Sequence, residues 1–296
     1  MSSSGADRRA DLAPALALLL NAFVWGVSWW PFRELHRMGL HPLWATALIY
    51  LVSLALLLAV RPHAWREFAR EPLLWLLMAG AGLTNVGFNW GVTVGDVVRV
   101  VLLFYLMPAW TVVLAWMLLG QRPTATAMVR LAIAMAGVLF VLKAPDTPWP
   151  MPQSIADWQA IAGGFSFALT NVVLRRLRHV PAPSRILAMF AGGAVLATVS
   201  GLIGAAWGLV PAIPAPNAGW IVVGLALSLG FLASNIALQF GAARLDAHTS
   251  ALIMLSEIVF ASVTSVALGA AEMTSRTLIG GALILFAAAW SALSAQ

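Results

Sequence analysis

Thr84-Asn85-Val86-Gly87-Phe88-Asn89-Trp90-Gly91, with an acid following at Asp96, and Ser234-Asn235-Ile236-Ala237-Leu238-Gln239-Phe240-Gly241, with Asp246 following, are one pattern written twice. Hydroxyl, amide, amide, aromatic, glycine and acid recur at a constant offset of 150. At an offset of 142, Phe23, Trp25, Ser28, Arg33 and Leu35 match Phe165, Phe167, Thr170, Arg175 and Leu177. Between the copies runs the longest polar connection, residues 144–157, which is rich in proline. The chain therefore reads as a duplication: a first unit over 1–145, a linking stretch over 146–156, and a second unit over 157–296.

The surroundings of both copies are apolar. Of 296 residues, 61% are hydrophobic and 9% charged, and the mean hydropathy is +0.89. Soluble domains carry about a quarter charged residues, so water is the wrong solvent for this chain. A bilayer accepts it if the apolar residues form helices of about 20 residues whose backbone groups bond internally. Proline and charge mark ten such spans, near 12–32, 42–60, 72–94, 97–119, 124–142, 157–175, 183–208, 218–241, 247–269 and 275–294. The first apolar run has full span length and no small-residue cleavage site, so an uncleaved first helix is expected.

Five spans per unit is an odd number, so the second copy enters the membrane upside down. The fold class expected is all-α and integral to the membrane, with ten transmembrane helices in two inverted five-helix repeats. Such a plan puts a solute site at the midplane between the halves, reached by rocking one half against the other. With ten spans, Arg33, Arg37, Arg99, Lys143 and Arg276 fall on one side and the other twelve of the 17 basic residues on the opposite one. The richer side is cytoplasmic by the positive-inside rule, so both termini are expected there.

The formal charge of +6 is topology rather than a nucleic-acid surface. Absence of cysteine excludes disulfides and thiolate-held metals or clusters. The five histidines lie in or beside loops without His-Glu-x-x-His spacing, and neither a phosphate-binding glycine loop nor a Gly-x-Ser-x-Gly elbow occurs. No enzyme, metal or cofactor is expected. The glycine series Gly87, Gly91 and Gly95 allows close helix approach within one bundle and gives no reason to expect an oligomer.

Buried amides are costly in hydrocarbon, so Asn85, Asn89, Asn235 and Gln239, four apart on each helix, should face the interior. They serve either as interhelical hydrogen bonds or as a strip reading a solute's polar ends. Trp25, Trp90 and Trp110 lie too deep for an interfacial belt, and act as packing or as cavity walls. Glu257 is the one acid well inside a span. It bonds a neighbouring hydroxyl such as Ser256 or Thr264, or it couples protons or holds an amino group. Pro108 lies within the fourth span, where it should bend the helix and free a carbonyl, as packing geometry or as a hinge.

Leu106-Met107-Pro108-Ala109-Trp110 with Leu118-Leu119-Gly120, Leu255-Ser256-Glu257-Ile258-Val259-Phe260 with Leu268-Gly269, and the duplicated amides together resemble the EamA-type branch of the drug/metabolite transporter superfamily. That family commonly has proline where Ile258 stands and glutamate where Gln121 stands. The Trp-rich interior and Ser28-Trp29-Trp30-Pro31 are similar to the bacterial aromatic amino acid exporters. The resemblance implies a secondary transporter of the bacterial inner membrane that exports aromatic and other neutral amino acids. In that reading Asn85, Asn89, Asn235 and Gln239 meet the solute's polar ends, while Trp25, Trp90, Tyr105, Phe167 and Met254 shape an apolar cavity. Glu257 and Pro108 are then the candidates for coupling or gating. Export of another metabolite or drug, and lipid handling, are the alternatives.

Overall fold

The computed structural model of the chain describes residues 4–120, 122, 124–143, 151–242, 244–245, 250 and 253–293. Among the described residues the regular structure is helical. The long elements are α1 (Ser4–Val27), α2 (Trp29–Arg37), α3 (Pro42–Val60), α4 (Leu73–Val94), α5 (Val97–Phe104), α6 (Met107–Leu119), α7 (Ala125–Leu142), α8 (Ile155–Arg176), α9 (Ala182–Ala206), α10 (Ala218–Ala242), α11 (Ser256–Ala267) and α12 (Ser275–Leu293). Single 3-10 turns occupy Ala64–Ala69 and Leu177–His179. Among the described residues six helical stretches are long and apolar enough to cross a membrane: Leu12–Arg37, Pro42–Val60, Val97–Leu118, Ala125–Leu142, Ala182–Ala206 and Ala218–Gly241. The boundaries follow the proline and charge signals closely, except that α1 begins at Ser4 and carries Pro14 in its interior. Asp246 and the prolines at 145, 148 and 150 lie outside the described residues.

Local chemistry starts and stops these helices. The side chains of Asp96, Thr124 and Ser154 cap α5, α7 and α8 by accepting from the N–H three residues on, which satisfies a donor that the first turn leaves orphaned. Gly39, Gly120, Gly208 and Gly269 follow α2, α6, α9 and α11 with φ between 66° and 89°. After α11 the Ala270 N–H reaches Ser265 O at 2.7 Å and the Gly269 N–H reaches Val266 O at 3.0 Å, a Schellman closure that needs the left-handed residue. Gly120 and Gly269 occupy the matching Leu-Gly positions of the two units.

Three spans expected to be continuous are interrupted. The first breaks at Ser28, the fourth at Tyr105 and Leu106, and the ninth at Leu255. Pro108 is the second residue of α6, so it starts a helix rather than bending the middle of one. It does free a carbonyl. Phe104 O, four residues earlier, is the acceptor that a proline cannot serve, and a Cβ on Gly164 would stand 2.5 Å from it. The ninth span breaks at the corresponding place with Ile258 instead of proline, its N–H bonded to Leu255 O at 3.2 Å in a tight turn.

Contacts between the two units dominate the packing. Helix α4 lies against both α8 and α9, α3 against α9 and α10, α1 against α10 and α11, α5 and α6 against α8, and α7 against α12. Glycine makes the closest of these possible. A Cβ on Gly192 would overlap the Met78 carbonyl, one on Gly82 would overlap the Gly192 carbonyl, and one on Gly87 would lie 2.8 Å from Gln159 O. In lipid there is no hydrophobic drive between helices, so this backbone contact is what association rests on.

Leucine at Gly192 should therefore separate α4 from α9 and cost about 1–3 kcal/mol or more. Leucine at Gly224, which faces open space, should cost almost nothing. Thermal unfolding of both variants in detergent tests this; equal melting temperatures would remove the role given to the α4 to α9 contact.

Candidate functional site

The interrupted spans surround a cavity of about 340 Å³. This is the small end of the range for ligand pockets, matched to one small molecule. Its aromatic wall comes from Trp25, Phe88, Phe104 and Phe167, and its polar lining from Asn21, Thr84, Asn85, Tyr105, Thr170, Asn171, Asn235 and Glu257. Positions such as Asn171, Met189 and Leu238 lie beyond the midpoints of α8, α9 and α10, towards the end where α8 and α10 finish. Towards the opposite end Trp25 stacks on Phe231 at 4.7 Å and meets Phe88 edge-on at 5.9 Å, and Phe88 meets Phe104 at 4.9 Å. That aromatic layer closes the floor.

Seven of the sequence-selected residues line this cavity: Trp25, Asn85, Tyr105, Phe167, Asn235, Met254 and Glu257. Three do not. Asn89 is fully buried, with its Nδ2 donating to Thr46 Oγ1 at 3.2 Å, so it is an interhelical bond between α4 and α3. Trp90 packs edge-on against His41 at 5.2 Å, nearer the end of α4. Gln239, one position past the lining residue Leu238, is not among the lining residues. A spacing of four puts two residues on one side of a helix, yet in a crowded bundle one turn separates a cavity wall from a neighbouring helix. Pro108 lies between Met107, which lines the cavity, and Ala109.

Asn21 is the lining amide missing from the duplicated motif. Its Nδ2 donates to Ser234 O at 3.0 Å and to Ser234 Oγ at 2.6 Å, which joins α1 to α10 and turns Oδ1 away from them. That Oδ1, together with Asn235 Oδ1 and Thr170 Oγ1, has no partner among the described residues. Buried acceptors without partners are costly, and these three adjoin the same cavity. Asn85 differs: its Oδ1 accepts from Tyr50 at 2.7 Å, leaving its NH2 group for the cavity.

Glu257 is buried, with 8% of its surface exposed. The Tyr105 hydroxyl lies 3.2 Å from its Oε2 and 3.3 Å from Met254 O, and has one proton for the two. Neither hydroxyl expected beside it is its partner: Ser256 donates to Ile253 O, and Thr264 accepts from the Trp29 indole while donating to Phe260 O. No Arg, Lys or His is among the lining residues. The carboxyl therefore has a tyrosine for company and no fixed cation among the lining residues. Among the described residues no group of His, Asp or Glu has metal-site geometry.

Comparison with known proteins agrees with this architecture. Residues 12–143 match the model of the EamA-like transporter family. A solved structure described only as a crystal structure of a protein superposes with a TM-score of 0.59 over 98% of this chain and 99% of that one; at 21% identity it speaks for the fold alone. No curated protein matches the sequence. The duplicated amides, the Leu-Met-Pro break and the glycine-capped helix ends thus lie in a chain whose residues 12–143 match the EamA-like transporter family.

Proposed function

We propose that the protein is a secondary transporter that exports amino acids, aromatic ones first, by alternating access to the cavity between its two halves. The observation that carries the proposal is the cavity itself. It is walled by flat rings, sized for one small molecule, and lined by amide and hydroxyl side chains and one carboxylate. Flat apolar walls favour an aromatic body. Asn21 Oδ1, Asn235 Oδ1 and Glu257 suit an ammonium group, and the free NH2 of Asn85 suits a carboxylate.

Ten spans in two inverted repeats is the arrangement we assign. Exchanging the first unit for the second maps the contact of α4 with α8 onto that of α10 with α1, the contact of α4 with α9 onto that of α10 with α3, and the contact of α5 and α6 with α8 onto that of α11 with α1. The contacts of α3 with α9 and of α7 with α12 map onto themselves. A pseudo-two-fold axis gives this pattern, and the matched breaks and glycine caps support it. Placement in a bacterial inner membrane with both termini cytoplasmic belongs to the same reading.

A second reading has its own observation. Because Glu257 has no basic neighbour among the lining residues, the site suits an aromatic amine lacking a carboxylate at least as well as a zwitterion. Counterflow in proteoliposomes separates the two. Labelled tryptophan should exchange ahead of threonine, and tryptamine ahead of both if the carboxylate contributes nothing. Exchange of none of these by folded protein would overturn the aromatic assignment. Glu257→Gln should raise KM for the amine-bearing solute by about ten- to a hundredfold, the value of one charged hydrogen bond.

The amides should divide by their partners. Asn235→Ala should weaken solute binding about two- to tenfold and leave the melting temperature unchanged. Asn89→Ala should keep binding and lose about 0.6–2 kcal/mol of stability with the Thr46 bond. Parallel calorimetric titration and thermal melts check this, and equal binding loss in both would contradict the placement of Asn89.

A further inference from the structure

Arg33 has no part in the cavity, yet it makes three side-chain bonds at its end of the bundle, as many as Arg99, whose guanidinium pairs with Asp157 of α8 and donates to Val141 O. It leaves α2 half-buried and donates from Nε to Val92 O at 3.2 Å, from Nη2 to Gly95 O, and from Nη1 to Ala270 O at 3.3 Å. The first two acceptors finish α4, in the same half; the third follows α11, in the other half. The guanidinium also stands 5.4 Å from the centre of the Trp29 ring, whose indole N–H donates to Thr264 Oγ1 of α11 at 3.0 Å. Beside it the Glu272 N–H donates to Asp96 Oδ2 at 3.1 Å. Three bonds therefore cross between the halves in one layer, above the Trp25 and Phe231 stack that floors the cavity. Five rigid donors serve several carbonyls at once, which a lysine cannot do.

The opposite end is fastened differently. There Arg176 donates to Leu118 O, and His179 lies 3.0 Å from Glu71, both in exposed positions. Arg33 pairs by sequence with Arg175, the neighbour of Arg176, and Leu118 belongs to the Leu-Leu-Gly end that matches the approach to Ala270.

We infer that Arg33 is the latch that holds this end of the transport path shut, clasping the segment after α11 to α2 and to the end of α4. The inference rests on the alternating-access reading. When the end opens, Ala270 O must be released, and the guanidinium keeps its carbonyls on α4 and its place over Trp29. The latch is therefore retained on the first half and lets go of one segment only.

The chain has no cysteine, so spin-label pairs report directly. One pair, Glu34→Cys with Met273→Cys, spans the two halves at the Arg33 end. A second, Arg122→Cys with Arg178→Cys, spans them at the other end. Electron–electron distance measurement on the full chain in lipid nanodiscs, without solute, should show Arg33→Gln adding a population longer by about 5 Å or more at the first pair, with no lengthening at the second. Arg33→Lys should give less of it. Unchanged distances at the first pair, or lengthening at both, overturns the latch. Should Arg33→Gln not yield folded protein, Trp29→Phe removes the bond to Thr264 and should shift the first pair the same way by a smaller fraction. Since no solute is present, failure of the solute assignment leaves these distances untouched, and failure of the latch leaves the cavity assignment standing.

Discussion

The close approach of α4 to α8 and α9, glycine backbone against backbone, is the contact on which the rest of the molecule depends. It crosses between the halves, so the two units form one body without a linking domain. Oily surfaces gain nothing by meeting in lipid, and what remains is dispersion at short range and the occasional hydrogen bond. Small residues supply the range. The bonds from Asn89 to Thr46, Tyr50 to Asn85 and Asn21 to Ser234 then fix the rotation of each helix. Once α4 is held this way, its Thr84 and Asn85 have nowhere to face except the space between the halves.

That space exists because the fourth and ninth spans do not run through. Breaks at Tyr105 and Leu255 hold the two chain segments apart and bring Tyr105, Met254 and Glu257 together at their edges. Irregular backbone is tolerated at such depth only where it borders a cavity or protein. The break in the second unit, formed with Ile258 in place of proline, shows that tertiary packing sets the interruption and that proline is one way of lowering its cost.

Much of this was legible in the sequence. The proline and charge punctuation located almost every helix, and the duplicated Thr/Ser-Asn-x3-Asn/Gln segments pointed to the two helices that bring Asn85 and Asn235 to the cavity. Helix periodicity leaves open what only neighbours decide. Asn89 shares a side of α4 with Asn85, but Thr46 of α3 occupies the space beside it. Glu257 bonds neither Ser256 nor Thr264 but meets Tyr105 from the other half, a contact of residues 152 apart that no local pattern encodes. Asn21 lines the cavity but stands outside the duplicated motif, so the repeat does not mark it. The bond that Arg33 makes across the halves ends on a main-chain acceptor, Ala270 O, a group that every residue possesses and no sequence marks.

The central claim is that a small aromatic solute binds between the halves, against the breaks. A bromine-substituted indole amine, such as 5-bromotryptophan, carries its own marker: crystals grown with it and measured at the bromine absorption edge give an anomalous peak wherever it sits. The account predicts one peak between Trp25 and Phe167, with the amine towards Asn235 and Glu257. A peak at the lipid-facing surface, with this cavity empty, would contradict it.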